Sequence, residues 1–164
     1  MGSIFRTADA VGVSPHTKRA LAPKAQKKNN DARYGVGVYL CGITPSPLDE
    51  FGKVRPQFAK VALGAEKYVK WQKVKSTSKL LDELKSKGYK IFAVEQSKKS
   101  VPYHKVRIRP KDKAVLILGS EVKGLPASVL NRADKVLEIL MTGKKESLNV
   151  AVAFGIVAFG LKHR

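Results

Sequence analysis

The stretch from Val115 to Gly160 decides the fold, because it holds two short polar signatures between apolar runs. The first reads LILGSEVKGLP over 116–126, an apolar run that ends in Gly-Ser-Glu and a second glycine. The second reads MTGKKESLNVAVA over 141–153, a glycine and lysine loop that leads into a long apolar segment. An apolar strand that ends in glycine indicates a backbone that approaches a ligand closely, and open α/β sheets bind ligands at this edge.

Hydrophobic periodicity outside these signatures predicts a regular alternation of helices and strands. The expected elements are helices over 2–12, 76–87 and 148–161, a short helix from Pro126, and strands over 34–43, 89–95, 114–118 and 135–140. The segment between the second and third of these strands, 96–110, is expected to be a loop. Strands that alternate with helices at this spacing are typical of βαβ units, so we predict an α/β fold with a mostly parallel sheet. The 164 residues suffice for one sizeable core, and we expect a single domain over 1–164.

The charge of the chain points to a polyanionic partner. Lysine and arginine number 32 against 13 acidic residues, which gives a formal net charge of +19. Nucleic acid is the first candidate for such a surface, and an anionic membrane surface is the second. No apolar run approaches the roughly 18 residues of a spanning helix, and the start lacks the pattern of a signal peptide. A single cysteine, Cys41, excludes an internal disulfide and is typical of a reducing compartment. We therefore expect a cytoplasmic protein that binds RNA.

Two other kinds of site are disfavoured by residue spacing. The histidines and the cysteine are scattered without the spacing of metal ligands, so no metal is expected. Gly143 and Lys144 do not fit the pattern of a nucleotide-hydrolase phosphate loop.

The segment over 14–34 departs from the apolar pattern of the rest of the chain. It carries one acid, Asp31, and six cations: Lys18, Arg19, Lys24, Lys27, Lys28 and Arg33. This composition is typical of an exposed basic loop or insertion. An arm that clamps RNA and a solvated extension without function are both compatible with it.

The two signatures resemble motifs 2 and 3 of the SpoU (TrmH-like) branch of the SPOUT RNA methyltransferases. The stretch GSIFRTADAVG over 2–12 is similar to most of that family's motif 1. Three motifs in family order make a specific match that covers most of the chain. The resemblance implies a parallel sheet with helices on both faces and a deep C-terminal trefoil knot. It also implies methyl transfer from S-adenosylmethionine to a ribose 2′-hydroxyl of tRNA or rRNA, without a metal.

The resemblance assigns catalytic roles to Arg6, Glu121, Ser147 and Asn149. Because a guanidinium stays protonated, we expect Arg6 to bind the phosphate beside the target ribose and to steady the developing alkoxide, passing the proton onward. Glu121 is expected to pair with Arg6 and orient it. Ser147 and Asn149 are expected to line the catalytic pocket. From the residues alone, Arg6 also fits a solvated helix arginine. Ser147 and Asn149 also fit caps of the final helix.

The resemblance places the cofactor contacts, largely through the backbone, in the loops that follow three strands. The expected cofactor-binding residues are Val94, Glu95, Leu118, Gly119, Gly124, Ile139, Leu140, Met141 and Leu148. The expected RNA-binding residues are the cations Arg6, Lys18, Arg19, Lys27, Lys28 and Lys144.

The sequence departs from the family pattern at two places. The family usually has a strand ahead of motif 1 and an asparagine that opens the motif, whereas here Met1 directly precedes Gly2. Leu140 stands where the family usually has proline, and we expect leucine to loosen the cofactor pocket.

The final helix over 148–161 is apolar nearly all round, so it needs cover on most sides. We expect the sheet and a second subunit to supply that cover, which predicts a homodimer. Whether Arg6 serves its own pocket or that of the partner is left open. Two alternatives to the enzyme are a non-catalytic RNA-binding member of the same fold and a basic assembly protein that associates through this helix.

Overall fold

The structure is a computed structural model that describes residues 1–13, 37–109, 111–144 and 147–163. Contacts group the chain into two compact units, Met1–Lys73 and Val74–Arg164. Across the described ranges, no helix has both the length and the apolar character that crossing a membrane requires. The basic segment over 14–34, with the predicted RNA-binding residues Lys18, Arg19, Lys27 and Lys28, lies outside the described residues.

The first unit contains two helices that pack on each other and a two-stranded sheet. Its elements are α1 (Gly2–Ala10), β1 (Val38–Cys41), α2 (Pro56–Ala62), a 3-10 helix (Ala65–Lys67) and β2 (Trp71–Val74), with β1 paired to β2. The buried rings of Phe5 and Phe58 meet edge to face with centroids 5.0 Å apart. A Cβ on Gly2 would lie 2.8 Å from the Cβ of Val61, so this glycine lets α1 and α2 approach closely.

The helix predicted over 2–12 is confirmed as α1. Its buried face carries Phe5, Ala8 and Val11, and Arg6 is exposed as its position in the pattern predicts. The helix ends at Ala10. Gly12 follows the C-cap residue with a left-handed φ of +72°, and the N–H of Val13 donates to the Ala8 carbonyl at 2.9 Å. This is the hydrogen-bond pattern of a Schellman motif.

The strand predicted over 34–43 is shorter than expected within the described residues. β1 ends at Cys41, and Gly42 follows with a left-handed φ of +55°. Ile43 is 99% exposed, so the prediction that its side chain belongs to the buried strand is wrong. The turn at Gly42 carries Ile43 out of the sheet.

The second unit is built around a four-stranded parallel sheet. Its elements are α3 (Thr77–Ser86), β3 (Tyr89–Val94), β4 (Val101–Pro102), a 3-10 helix (Tyr103–Lys105), β5 (Lys113–Leu118), α4 (Ala127–Leu130), β6 (Lys135–Glu138) and α5 (Val150–Lys162). The strand order is β4-β6-β3-β5, and every neighbouring pair is parallel. The predicted parallel sheet is thereby confirmed. The short β4 is a correction, because it lies within the segment that was expected to be a loop.

Helices cover both faces of this sheet, as predicted. On one face, Phe92 and Leu137 pack with Val157 and Leu161 of α5. The next residue along β3, Ala93, points to the opposite face, where it is fully buried and where α3 contacts β3. The predicted trefoil knot stays a prediction.

The helix predicted over 76–87 is confirmed as α3, and a capping signal is present at each of its ends. The Ser76 side chain accepts the N–H of Lys79 at 3.4 Å, as an N-cap residue does. At the other end, Gly88 follows the helix with a left-handed φ of +80°.

The register of the sheet brings three strand ends together. Val94 at the end of β3 is paired with Leu118 of β5 and with Leu137 of β6. At the start of β6, the Asp134 carboxylate accepts the N–H of Ile91 at 2.7 Å, and the Asp134 N–H donates to the Ile91 carbonyl at 2.8 Å. These two bonds fix β6 against β3, so the loops that follow the three strands emerge side by side.

Candidate active site

A cavity of about 480 Å³ lies where β3, β5 and β6 end and α5 begins. This volume is within the range of roughly 300–1,000 Å³ that is usual for small-molecule sites. The lining residues come from the three strand ends, the loops that follow them, α4 and the first turn of α5. They are Val94, Glu95, Gln96, Leu118, Gly119, Ser120, Glu121, Val122, Lys123, Gly124, Leu125, Leu130, Leu137, Glu138, Ile139, Met141, Ser147, Leu148, Val150 and Ala153.

Most of the predicted cofactor-binding residues line this cavity. They are Val94, Glu95, Leu118, Gly119, Gly124, Ile139, Met141 and Leu148, and the predicted catalytic residues Glu121 and Ser147 line it too. Leu140 does not, and its side chain is 59% exposed. Because Ile139 and Met141 on either side face the cavity, the side chain between them points away, as alternate residues of an extended segment do.

Sequence reasoning missed several lining residues. Ser120, Lys123 and Leu125 adjoin predicted residues in the first signature, so that signature contained the signal for them. Leu130 and Ala153 come from helices, where an apolar pattern predicts burial but does not show which apolar residues face a cavity.

The loop after β5 folds back on itself to form one wall of the cavity. Ser120 and Gly124 form an antiparallel bridge, in which the Gly124 N–H donates to the Ser120 carbonyl at 2.9 Å. The Lys123 N–H donates to the Ser120 hydroxyl at 3.0 Å. A Cβ on Gly119 would overlap the carbonyl carbon of Gly124. The first signature predicted a close approach of the backbone to a ligand. In the structure the atoms nearest to Gly119 belong to the loop's own backbone, and the approach to a ligand stays a prediction.

Glu95 joins the end of β3 to this loop. One carboxylate oxygen, Oε1, accepts the N–H of Gln96 at 3.0 Å. The other, Oε2, accepts the N–H of Leu125 at 3.1 Å. Both oxygens of a cavity-lining carboxylate are thus bound to backbone donors.

Asn149 links the two sequence signatures. Its Oδ1 accepts the N–H of Ala151 at 2.9 Å and caps α5. Its Nδ2 donates to Oε1 of Glu121 at 2.9 Å. The helix-cap alternative is therefore confirmed for Asn149. Its role as a catalytic residue stays a prediction, and its contact with the cavity-lining Glu121 is the geometry that supports it. Ser147 lies two residues ahead of the cap and lines the cavity.

Two predicted site residues lie elsewhere in the described chain. Arg6 is an exposed residue of α1 in the first unit, and its pairing with Glu121 stays a prediction. Lys144 is exposed in the loop between β6 and α5. Within the described ranges, no group of histidine, cysteine or acidic side chains is arranged to hold a metal ion.

Comparison with known proteins assigns the family. Residues 41–159, more than half of the chain, match the model described as the SpoU rRNA Methylase family. The chain belongs to the SpoU family. Three motifs and the parallel sheet with its cavity at the strand ends agree with this membership.

Relatives of this SpoU chain include RNA-modifying enzymes. A tRNA (guanosine(18)-2'-O)-methyltransferase of Borreliella burgdorferi is 36% identical over 104 residues, which are 63% of this chain and 47% of that protein. A 23S rRNA (guanosine-2'-O-)-methyltransferase of Neisseria meningitidis is 29% identical over 96% of this chain and 50% of its own length. The SpoU chain therefore spans about half the length of these relatives.

Solved structures share the fold. The A. aeolicus TrmH/SpoU tRNA modifying enzyme superposes with a TM-score of 0.71 and 28% identity, over 98% of this chain and 66% of its own. An AdoMet-bound rRNA methyltransferase from Sinorhizobium meliloti gives a TM-score of 0.73 over 97% of this chain and 49% of its own. At 23% identity, the second likeness concerns the fold alone.

Proposed function

We propose that this SpoU chain is a ribose 2′-O-methyltransferase that uses S-adenosylmethionine and acts on tRNA or rRNA. The observation that carries the proposal is the Glu121–Asn149 hydrogen bond at a cavity formed by three parallel strand ends. Relatives named as tRNA and rRNA 2'-O-methyltransferases support the same reaction. We place the protein in the cytoplasm with these RNA substrates and treat residues 1–164 as one functional domain.

Features of the cavity support S-adenosylmethionine as the cofactor. Leu118, Ile139 and Leu148 provide apolar surface suited to an adenosine, while the carboxylates of Glu121 and Glu138 suit a ligand that carries positive charge. Gly119 and Gly124 let the loop after β5 fold tightly against its own backbone and against Glu95, and this folded loop forms one wall of the cavity. When bound, S-adenosylmethionine supplies a methyl group made electrophilic by its sulfonium.

The reaction also requires groups that manage the proton and the charge of the ribose hydroxyl. In our proposal Arg6 binds the adjacent phosphate and steadies the developing alkoxide. Because a guanidinium is a poor free-standing base, it relays the hydroxyl proton onward to solvent water instead of keeping it. Glu121 aims Arg6, and Asn149 holds Glu121 through the 2.9 Å bond. Ser147 adds a hydroxyl to the cavity wall beside the helix cap. Residues held in this way reduce the reorganisation needed at the transition state.

Charge supports RNA as the partner. The net charge of +19 favours a polyanion, and it contrasts with the carboxylates inside the cavity. Lys123 at the cavity and exposed Lys144 are proposed phosphate contacts, together with Arg6. The sequence-based assignment of Lys18, Arg19, Lys27 and Lys28 to RNA binding stays a prediction.

A homodimer through α5 is part of the proposal. Phe154, Val157 and Leu161 are buried within the unit, whereas Val152 is 50% and Phe159 is 40% exposed. The two exposed residues are seven apart and so share one face of the helix. A second copy of α5 would cover this apolar face.

The proposal is tested with purified protein, bulk tRNA and rRNA, and radiolabelled S-adenosylmethionine. We expect cofactor binding by calorimetry and transfer of label to RNA. We also expect Arg6→Ala to reduce transfer by about 100-fold or more, the scale of a lost transition-state charge contact. Lys60→Ala, which removes another exposed cation of the first unit, is the matched control.

The possible outcomes separate the competing functions. RNA binding without methyl transfer would support the alternative of a non-catalytic RNA-binding member of the same fold. If the protein binds neither the cofactor nor RNA, the result would support the alternative of a basic assembly protein. Transfer by Arg6→Ala at the wild-type rate would contradict the role assigned to this arginine.

A further inference from the structure

The carboxylate of Glu95 lies between two loops of the cavity, and we infer that Glu95 is a positioning residue rather than a ligand of the cofactor. It holds the turn over 120–125 closed and thereby places Glu121. This inference rests on the proposed function and adds to it a residue outside the three motifs.

Glu95 is fixed from three directions. Its own N–H donates to the Leu137 carbonyl at 3.0 Å, which anchors its backbone to β6. Oε1 accepts the Gln96 N–H, and Oε2 reaches across to the Leu125 N–H at 3.1 Å. The side chain therefore connects the end of β3 to the end of the turn that follows β5, 30 residues further along the chain.

Gly124 is shaped to receive this carboxylate. Its φ of +60° is left-handed, and a Cβ built there would lie 2.5 Å from Oε2 of Glu95. Any side chain at this position would displace the carboxylate from the Leu125 N–H. Glycine is thus required both by the backbone conformation and by the approach of Glu95.

The turn transmits the position of Glu95 to Glu121. The bridge between Ser120 and Gly124 makes the turn a closed unit, so its far end moves with Leu125. Glu121 is carried on that unit and is held from the other side by Asn149. Loss of the Glu95 bond leaves Glu121 with support from the α5 side alone.

The two-donor geometry selects glutamate at this position. A carboxylate offers an acceptor to each of two N–H groups, whereas glutamine must present its own NH₂ to one of them. Aspartate is shorter by one methylene and falls short of Leu125. We therefore expect Glu95→Gln to loosen the turn over 120–125 to an intermediate degree and Glu95→Ala to loosen it most.

Hydrogen exchange of the ligand-free protein tests the tether without any cofactor. We expect exchange in a peptide covering 120–126 to accelerate about 10- to 100-fold in Glu95→Ala, the effect of losing one hydrogen bond to a charged group. Glu138→Gln removes a charge from the same cavity but lies on β6, so it is the matched control and leaves this exchange unchanged. Unchanged exchange in Glu95→Ala, or equal acceleration in the control, would overturn the inference.

If Glu95→Ala also accelerates exchange throughout β3, that variant has lost more than the tether, and the milder Glu95→Gln then tests the inference. Acceleration confined to 120–126 in that variant supports the tether, and wild-type exchange there rejects it.

Calorimetry with S-adenosylmethionine connects the tether to binding. We expect Glu95→Ala and Gly124→Ala each to weaken affinity about 10-fold or more, and the double variant to be no weaker than the worse single variant, because both changes break the same contact. Additive losses would contradict the inference. A wild-type protein that binds no S-adenosylmethionine would reject the proposed function, while the exchange experiment still decides the role of Glu95.

Discussion

Asn149 performs two separable tasks with the two ends of one amide. Its oxygen caps α5 through the Ala151 N–H, and its nitrogen donates to Glu121. A carboxylate caps a helix about as well as an amide but cannot donate a hydrogen bond. Substitution at this position can therefore remove the contact with Glu121 and keep the cap.

We predict that Asn149→Asp leaves stability within about 0.5 kcal/mol of wild type, because the cap is kept. Methyl transfer should fall about 10- to 100-fold, because two carboxylates then face each other and Glu121 is displaced. Asn149→Ala should lower transfer in the same way and should also lower the free energy of unfolding by about 1 kcal/mol, because the cap is lost. Urea unfolding and initial transfer rates check both variants. Wild-type transfer by Asn149→Asp would show that the bond to Glu121 has no catalytic effect.

At the scale of single residues, sequence reasoning identified the side chains of the site better than their contacts. Glu121 and Asn149 were selected by the two signatures. Their hydrogen bond joins residues that are 28 positions apart in the sequence, and a sequence pattern does not show which distant residues come into contact. The same holds for the carboxylate of Glu95. It was expected as part of a backbone contact loop, and its bond to Leu125 depends on how β3 and β5 are paired.

Strand β6 is held in register by a side chain at its entry. Oδ2 of Asp134 accepts the Ile91 N–H at 2.7 Å, and Oδ1 pairs with Lys85 of α3 at 3.1 Å. The first contact satisfies a backbone donor of a fully buried residue, whereas the second is partly exposed to solvent. The two contacts should therefore differ in their effect on stability.

We predict that Asp134→Ala lowers the free energy of unfolding by about 1–3 kcal/mol, because the buried N–H of Ile91 loses its acceptor. Lys85→Ala, which breaks the ion pair alone, should cost at most about 1 kcal/mol. Urea titrations of the two variants measure the difference. Equal losses would place the stabilisation in the ion pair instead.

The start of β5 carries a cluster of charges that makes stability depend on pH. Arg109 donates side-chain hydrogen bonds to Asp112, and Lys90 of β3 pairs with it at 3.0 Å. The hydrogen bonds from Arg109, followed by that from Lys90, lower the pKa of the Asp112 carboxyl well below its ordinary value. A lowered carboxyl pKa adds stability above the unfolded-state value, and this stability is lost as the pH falls.

We predict that wild type loses more stability than Asp112→Asn between pH 5 and pH 2, a window that brackets the unfolded pKa of aspartate of about 3.9. Urea midpoints measured across this range test the prediction. Parallel pH profiles for the two proteins would mean that Asp112 is no better paired when folded than when unfolded.

At the scale of elements, sequence predicted what periodicity and end signals determine. The hydrophobic pattern predicted a helix over 76–87 and a strand over 89–95, and these are α3 and β3. The two-residue β4 was missed because such a short strand has no periodicity of its own. It forms because it pairs with β6 at the edge of the sheet, which is a tertiary effect.

For the whole molecule, the exposed face of α5 leads to a prediction about assembly. We expect Val152→Glu and Phe159→Glu each to shift the protein from dimer to monomer in sedimentation equilibrium, since a buried unpaired charge is costly. Gln72→Glu adds one exposed acid elsewhere and is the matched control. A monomeric wild-type protein would contradict the proposed dimer. If Arg6 serves the partner's pocket, methyl transfer falls together with dimerisation.

The most direct test of the central claim is to identify the product. RNA incubated with the protein and S-adenosylmethionine is digested to nucleosides and analysed by mass spectrometry, with fragmentation that separates a methylated ribose from a methylated base. The proposed function predicts a single class of new product with the methyl group on the ribose 2′-oxygen, absent when Arg6→Ala replaces the wild type. A methylated base, or no new nucleoside from a protein that binds both cofactor and RNA, would contradict it.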